Sequence, residues 1–298
     1  MRVRVNGVVL YFDVEGAGLR AEGAAMVPKP TLLLLHGGPG ADHTLYKPDF
    51  SALADVAQVI YLDHRGNGRS DRGTEDTWHL AQWADDVLEF CQVLGIVKPV
   101  VYGASFGGLV AMAYATRHPE HPGKLVLVST ATCMASHARA KVEMFRRLGG
   151  DRLANLAHRR FVERDTSAEV LRAWLEQAVP LYTQAPLDPD VWKRIVSNPA
   201  VTAWFNRPGG EAQSFDLGTD LHRIQCPTLL MGGTLDPMLP IECQRDIAAA
   251  LGAHMPHLLT YREFEHCGHG VVPDRPLEAM QLVRDFLQAD PSTPPAGR

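Results

Sequence analysis

Apolar residues follow two alternating patterns along this chain. Short continuous apolar runs, such as residues 31–35 and 124–128, are typical of strands covered on both faces of a parallel sheet. Between such runs, apolar residues recur at every third or fourth position, as in residues 80–94, and this spacing predicts amphipathic helices. The alternation predicts an α/β fold with a mostly parallel central sheet and helices on both of its faces.

The chain begins with a predicted β-hairpin over residues 3–14, whose turn is Asn6-Gly7. Residues 16–30 are rich in Gly and Ala and are predicted to form a loop. The further predicted strands are residues 31–35, 56–62, 98–102, 124–128, 227–232 and 258–264, and the predicted helices between them are residues 80–94, 108–118, 241–251 and 277–287.

The strand pattern stops between residues 131 and 221. Helical spacing continues there in residues 136–148, 151–163, 168–178 and 190–197, and prolines interrupt the stretch. We interpret residues 131–221 as a helical cap inserted into an α/β core that comprises residues 1–130 and 222–289. Residues 290–298 are rich in proline, which predicts a disordered tail.

Composition excludes several classes of partner. The net charge is −5, and the largest basic blocks are the short segments Phe145-Arg146-Arg147 and His158-Arg159-Arg160. Nucleic acid and anionic membranes are therefore not predicted partners. No apolar run reaches the length of a membrane span, and the first residues lack the apolar core of a signal peptide. The five cysteines are widely spaced without a C-x-x-C pair, which predicts reduced thiols, a cytoplasmic location and no metal site.

The segment Gly103-Ala104-Ser105-Phe106-Gly107 lies between a predicted strand and a predicted helix. A Ser at such a tight turn holds its hydroxyl clear of the backbone, and glycines without a Cβ let strand and helix approach closely. The alternative is a Gly-rich turn that happens to contain a Ser. The flanking elements favour a nucleophile at Ser105.

A second Gly-rich segment, His36-Gly37-Gly38-Pro39-Gly40, directly follows the apolar run of residues 31–35. Backbone N–H groups in this position can stabilise a developing oxyanion. The predicted oxyanion hole consists of the N–H groups of Gly38 and Phe106, with Gly37 as an alternative to Gly38. An ordinary strand-to-loop turn is the competing interpretation.

These two segments and Asp63-His64-Arg65-Gly66-Asn67-Gly68-Arg69-Ser70 occur in the order typical of one protein family. Over about residues 7–288 the chain resembles the α/β-hydrolase branch that contains proline iminopeptidases and their esterase and amidase relatives. The resemblance implies the α/β-hydrolase fold and serine hydrolase chemistry. Proline iminopeptidases usually have Trp after the nucleophile, whereas this chain has Phe106, so the resemblance does not extend to an aminopeptidase substrate.

In this family the acid and then the histidine follow the nucleophile along the chain. Asp236 lies directly after the predicted strand of residues 227–232, where a carboxylate can orient the histidine. His269, in a Gly-His-Gly setting after the last predicted strand, is the predicted base, and His266 is the alternative. A turn Asp before Pro237 is the competing interpretation of Asp236.

Other polar and aromatic positions have weaker predicted roles. Trp204, Phe205 and Glu211 are candidates for substrate contact, because acidic cap residues hold the substrate amine in the aminopeptidase relatives. The competing interpretations are an aromatic cap core and a surface carboxylate. We interpret residues 63–70 as a hydrogen-bonded loop in which Asp63 pairs with Arg65, rather than as a substrate contact.

These residues predict a serine hydrolase that cleaves a carboxylic ester or lactone of a small-molecule substrate through an acyl-enzyme. The mechanism requires no cofactor and no metal. A proline iminopeptidase-like aminopeptidase or a small-amide amidase is the alternative, and a non-catalytic receptor with this fold is a further one. A Ser at the turn argues against epoxide hydrolase and dehalogenase relatives, which have Asp there. The sequence does not predict an oligomeric state.

Overall fold

The computed structural model describes residues 1–186 and 190–289, so the predicted tail of residues 290–298 lies outside the described part. Its main sheet has eight strands in the order β1-β2-β6-β5-β7-β8-β9-β10. The strands are β1 (Arg2–Val5), β2 (Val8–Glu15), β5 (Thr31–Leu35), β6 (Gln58–Leu62), β7 (Val100–Ala104), β8 (Lys124–Val128), β9 (Thr228–Gly233) and β10 (Leu259–Phe264), with β3 (Leu19–Glu22) and β4 (Ala25–Pro28) in a separate pair.

In this spatial order, each pair of neighbouring strands from β6 through β5, β7, β8 and β9 to β10 is parallel. The pairs β1–β2 and β2–β6 are antiparallel. The α/β fold that the hydrophobic pattern predicts is therefore confirmed. Because the strands from β5 to β10 run in one direction, the loops that follow them meet at one edge of the sheet. The segments containing Ser105, Asp236 and His269 all leave the sheet at this edge.

Alternate residues of each strand face opposite layers of helices. Along β5, Leu33 and Leu35 belong to one apolar core, and Leu32 and Leu34 belong to the other. The first core includes residues of α1 (Leu80–Val93), α2 (Phe106–Arg117) and α7 (Ile241–His254), and the second includes residues of α8 (Val271–Asp274), α9 (Pro276–Gln288) and the 3₁₀ turn Asp49–Leu53. No helix in residues 1–186 or 190–289 combines the length and apolarity needed to cross a bilayer.

Between β8 and β9 the described residues form helices and turns and no strand. The helices are α3 (Ala138–Phe161), α4 (Ala168–Ala173), a π turn (Trp174–Ala178), α5 (Val191–Arg194) and α6 (Pro199–Asn206). Gly150, with φ of 76° and ψ of −173°, breaks α3 close to the boundary between the two helices predicted there. Phe145, Phe161 and Trp174 pack their rings together in a small apolar core within this segment.

Two elements differ from the predictions. Residues 16–30 are not a loop, since β3 and β4 pair antiparallel within them. All side chains of β3 are exposed, so no burial alternation marks the strand in the sequence. The helix α6 was not predicted, although Asn198 caps its first turn and Pro199 occupies its first position, a combination typical of helix starts.

The predicted pair of Asp63 with Arg65 is wrong. Arg65 instead binds both carboxylate oxygens of Asp86 in α1, each at 2.7 Å, and both side chains are almost fully buried. The Asp63 carboxylate accepts hydrogen bonds from the His43 backbone and ring and from the Arg69 backbone. The loop of residues 63–70 is nevertheless hydrogen-bonded, and Arg65 fastens it to the helical layer.

The Arg65–Asp86 pair gives a stability prediction with an adjacent control. Asp86→Ala leaves the Arg65 guanidinium buried without its carboxylate, and such a change typically costs about 3–5 kcal/mol. Asp85→Ala removes a partly exposed ion pair with Arg117 and a hydrogen bond with the ring of His118, and such exposed contacts are each typically worth less than about 1 kcal/mol. Denaturant unfolding of the two variants and the wild type compares these losses. Equal losses in the two variants would contradict a special role for the buried pair.

Candidate active site

Ser105 lies at the turn between β7 and α2 with φ of 55° and ψ of −120°. A positive φ is uncommon for a residue with a side chain and persists only where the surroundings fix it. Here the Ser105 N–H donates to the Val128 carbonyl at 2.9 Å, and the Thr130 hydroxyl donates to the Ser105 carbonyl at 2.9 Å. Both contacts come from the end of β8, so the neighbouring strand holds the strained turn in place.

The two glycines of the turn allow a very close backbone approach. A Cβ on Gly103 would lie 2.2 Å from the Gly107 carbonyl oxygen. A Cβ on Gly107 would lie 1.8 Å from the Leu35 carbonyl oxygen, a distance that no substitution can accommodate without displacing the backbone. The start of α2 therefore rests directly on the end of β5.

This approach places the loop after β5 beside Ser105. A Cβ built on Gly37 would lie 3.6 Å from the Ser105 Cβ. The ring of His36 fixes the loop, since its Nδ1–H donates to the Gly37 carbonyl at 2.7 Å and its Nε2 accepts from the His64 N–H at 3.2 Å. Gly37 thus lies beside Ser105, Gly38 is the next residue of the loop, and Phe106, the first residue of α2, directly follows Ser105.

Asp236 and His269 form the second half of the site. The Nδ1–H of His269 donates to Asp236 Oδ2 at 2.8 Å, and Asp236 is 1% exposed. Asp236 Oδ1 accepts the backbone N–H groups of Met238 and Leu239, each at 2.8 Å. Because both carboxylate oxygens are occupied, Asp236 holds the imidazole in one tautomer and leaves Nε2 as its basic atom.

The two halves lie at the same sheet edge, with β8 between the strands that lead to them. Within the described part of the chain the Ser105 hydroxyl is not hydrogen-bonded to the His269 ring. Catalytic hydrogen bonds are commonly long without substrate and shorten in the reacting complex. His266, the alternative base, is exposed in a turn with φ of 54°, and Asp236 binds His269 instead.

The three predicted substrate contacts have partners within the protein. The ring of Phe205 is buried and lies 5.5 Å from the ring of Phe106. Trp204 is partly buried and stacks under the Arg207 guanidinium at 3.5 Å. Glu211 Oε2 accepts the N–H of Leu80 at 2.8 Å and so stabilises the start of α1, while burial raises the pKa of this carboxyl.

Tyr182, one of the aromatic residues of the predicted cap, contacts the candidate base. Its carbonyl accepts the His269 N–H at 2.6 Å, and its ring lies 5.5 Å from the imidazole in an edge-to-face arrangement. Asp274 adds a second link, because its carboxylate accepts the N–H groups of Gly268, Gln184 and Ala185. Backbone contacts of this kind leave no residue-type pattern in the sequence.

Asp42, His43 and Asp63 bring three buried metal-ligand side chains within 4.8 Å of one another. Their lone pairs are already engaged. Asp63 binds His43 and the Arg69 backbone, and Asp42 accepts the Arg69 guanidinium at 2.5 Å and the backbone N–H groups of Thr44 and Val196. We therefore interpret the cluster as a structural ion-pair network beneath the loop of residues 36–40.

His36 and His64 are both fully buried with ring centroids 4.4 Å apart. Burial lowers the pKa of His36 and lowers the pKa of His64 well below its ordinary value. The Nε2 atom of His64 has no hydrogen-bond partner in the described part of the chain. Both rings are therefore neutral when the protein is folded.

Comparisons with known proteins agree with this geometry. A family model described as the alpha/beta hydrolase fold matches residues 30–276. The chain is 27% identical over 280 residues to a putative carbamate hydrolase RutD of Caulobacter sp. (strain K31), covering 93% of this chain and 97% of that protein. It is 26% identical over 297 residues to a proline iminopeptidase of Lactiplantibacillus plantarum, covering 95% and 98%.

Among solved structures, the proline iminopeptidase of Mycobacterium smegmatis matches with a TM-score of 0.78 at 23% identity. The match covers 96% of this chain and 97% of that one. These findings confirm the resemblance that the three Gly-containing motifs predict.

The buried histidines predict that the protein loses stability in mild acid. The unfolded chain binds protons below the ordinary histidine pKa of about 6.5, whereas folded His64 does not, so stability falls as the pH decreases through this value. Each such histidine contributes up to about 1.4 kcal/mol per pH unit. Between pH 7 and pH 5, His64→Phe should lose less unfolding free energy than the wild type.

Denaturant unfolding at several pH values measures this difference. His257→Gln is the control, because His257 is exposed. A His64→Phe variant with the same pH dependence as the wild type would show that His64 is protonated in the folded state.

Proposed function

The chain belongs to the α/β-hydrolase fold family, and from this we propose that it cleaves a carboxylic ester or lactone with Ser105, His269 and Asp236. The observation that carries the proposal is the hydrogen bond from His269 Nδ1 to Asp236, whose other carboxylate oxygen is held by backbone N–H groups. This arrangement leaves the imidazole Nε2 free at the sheet edge where Ser105 lies. The Gly-rich loop also reaches this serine, since Gly37 lies beside Ser105.

In the proposed mechanism the Ser105 hydroxyl attacks the carbonyl carbon while His269 Nε2 takes its proton. The N–H groups of Gly38 and Phe106 stabilise the oxyanion of the tetrahedral intermediate, with Gly37 as the alternative to Gly38. The intermediate collapses, and His269 protonates the departing alkoxide. Water then attacks the acyl-enzyme with His269 as base, which releases the carboxylic acid and regenerates Ser105. Asp236 keeps the imidazole oriented throughout.

An ester or lactone is favoured over a peptide by the charges near the site. An aminopeptidase must pair a partly desolvated ammonium with carboxylates, because an unpaired buried charge is costly. The candidate carboxylate, Glu211, accepts the N–H of Leu80 instead. Pro237 occupies the position after Asp236, and Phe106 replaces the usual Trp. Ester cleavage has no such requirement.

An aminopeptidase or amidase is the second candidate function. It is favoured by two relatives, named proline iminopeptidase and putative carbamate hydrolase, which are 26% and 27% identical to this chain. A non-catalytic receptor is a weaker alternative, since binding alone does not require an oriented Asp–His pair beside a strained Ser.

We also propose that residues 131–221 act as a cap over the α/β core of residues 1–130 and 222–289. Two observations support this. The segment has an apolar core of its own around Phe145 and Trp174. Tyr182 within it contacts His269 directly. Movement of such a cap would control substrate entry.

Variants of the proposed triad test the mechanism. Ser105→Ala and His269→Gln should each lower kcat for p-nitrophenyl esters by about five or more orders of magnitude, because these residues act as one unit. Asp236→Asn should lower kcat by about four orders of magnitude, because the imidazole tautomer is lost. His266→Gln is the control and should stay active. An active His269→Gln with an inactive His266→Gln would assign the base to His266.

Substrate preference is tested by comparing p-nitrophenyl esters of short and medium acyl chains with proline and alanine p-nitroanilides. We expect kcat/KM to be higher for the esters, because an alkoxide leaves more easily than an amine and because Glu211, the candidate partner of a substrate ammonium, already accepts the N–H of Leu80. Glu211→Gln should change ester turnover little. A much better proline anilide, with a KM that rises selectively in Glu211→Gln, would establish the aminopeptidase instead.

A further inference from the structure

A cavity of about 90 Å³ lies between the helical segment and the core. This volume is several times what one ordered water needs, so the cavity has room for a small polar group. Four parts of the chain line it, namely residues 134–135 after β8, residues 160–166 at the end of α3, residues 206–213 after α6, and Met238 after β9.

The lining residue Met238 connects the cavity to the candidate active site. Met238 is two residues from Asp236, and its N–H donates to the Asp236 carboxylate. Its sulfur accepts the hydroxyl of Tyr182, whose ring packs against His269. The cavity is therefore adjacent to the Asp236–His269 pair, on the side that faces the helical segment.

The charges on the cavity wall are all positive. Arg160 and Arg164 are its charged lining residues, and the polar lining side chains Thr166, Asn206 and Gln213 are neutral. In the part of the chain that the structure describes, the lining includes no acidic side chain. An ammonium group would be repelled here, whereas an anion would be attracted.

Arg160 is the half-buried cation of this wall. Its guanidinium has no hydrogen bond or ion pair within residues 1–186 and 190–289, whereas the adjacent Arg159 binds Asp165 and Glu169. Burial lowers the pKa of Arg160, yet a guanidinium stays protonated near neutral pH. The Asp165 carboxylate attracts Arg160 at longer range but is hydrogen-bonded to Arg159. The partly desolvated Arg160 guanidinium therefore lacks a hydrogen-bonded carboxylate, which a bound anion would supply.

A third cation lies behind the wall. Lys141 is fully buried, and its ammonium donates to the carbonyl of the lining residue Met134 at 2.8 Å. It also lies 4.9 Å from the centre of the ring of Phe161, another lining residue. Burial lowers the pKa of Lys141, and the nearby Asp236 carboxylate opposes this shift. In its protonated form Lys141 adds to the positive potential inside the cavity.

We infer that this cavity binds a carboxylate carried by the substrate, with Arg160 as its direct partner. The inference rests on the proposed ester hydrolysis and narrows its substrate class to half-esters of dicarboxylic acids or lactones that bear a carboxylate. A planar guanidinium binds a carboxylate through two parallel hydrogen bonds, which orients as well as attracts it. The chain between the carboxylate and the ester must then span from the cavity to Ser105. Water adds across the acyl C–O bond, so that a half-ester gives a dicarboxylate and an alcohol, whereas a lactone opens to a single hydroxy-dicarboxylate.

A matched pair of substrates tests the inference. Mono-p-nitrophenyl adipate carries the free carboxylate, and methyl p-nitrophenyl adipate has the same length without the charge. The wild type should prefer the anionic substrate in kcat/KM. Arg160→Gln should raise KM for the anionic substrate by about tenfold to a hundredfold, as expected for a charge-assisted hydrogen bond, and leave the neutral one unchanged. Arg160→Lys should restore part of the preference.

Arg152→Gln is the control, because Arg152 is on the same helix and is exposed. It should retain the wild-type preference. If Arg160→Gln keeps the preference for the anionic substrate, or if the wild type has none, the carboxylate site is excluded while ester hydrolysis stands.

A binding measurement separates failure of the inference from failure of the proposed function. Calorimetry gives the affinity of succinate, glutarate and adipate for the wild type, Arg160→Gln and Arg152→Gln. At least one dicarboxylate should bind the wild type and Arg152→Gln about tenfold or more tightly than it binds Arg160→Gln. If the wild type cleaves neither ester faster than Ser105→Ala does, the proposed function is wrong. The difference in dicarboxylate affinity between the wild type and Arg160→Gln then decides by itself whether the anion site exists. Equal or absent binding in all three proteins overturns the site.

Discussion

The contact between the backbone of Gly107 and the carbonyl of Leu35 fixes the geometry on which the rest of the site depends. It brings the start of α2 against the end of β5, so the strained Ser105 and the loop of Gly37 must lie side by side. The end of β8 holds the opposite side of the turn through Val128 and Thr130. Three adjacent strands thus position Ser105, through backbone contacts and the one hydroxyl of Thr130.

Beneath this edge, buried charges maintain the loops rather than perform chemistry. The Arg65–Asp86 pair connects the loop of residues 63–70 to α1, and Asp63 binds the segment that follows the Gly-rich loop through His43. Each carboxylate accepts several hydrogen bonds, which is the condition under which buried charges are tolerated. Arg160 in the cavity wall differs from these buried charges, because no carboxylate in the described part of the chain is hydrogen-bonded to its guanidinium.

The features that could be predicted from the sequence are those that residues close together along the chain determine. The parallel sheet follows from apolar runs, and the Gly-rich turn around Ser105 requires close backbone approach that only Gly permits. The sequence could not predict what depends on long-range pairing. Arg65 is two residues from Asp63 but binds Asp86 on another element, and Glu211 reaches the start of α1 across the fold. The strand β3 was missed because pairing, and not burial, defines it.

The carbonyl of Tyr182 joins the helical segment to the backbone of His269, and Asp274 reinforces this joint from the other side. The position of the loop that carries the imidazole therefore depends on a segment whose own apolar core is smaller than the two cores that flank the sheet. Heating that loosens the segment also displaces His269, while the large sheet stays intact. If His269 has the proposed role, activity would be lost on heating before the sheet unfolds, and residual secondary structure would be a poor measure of how much active protein remains.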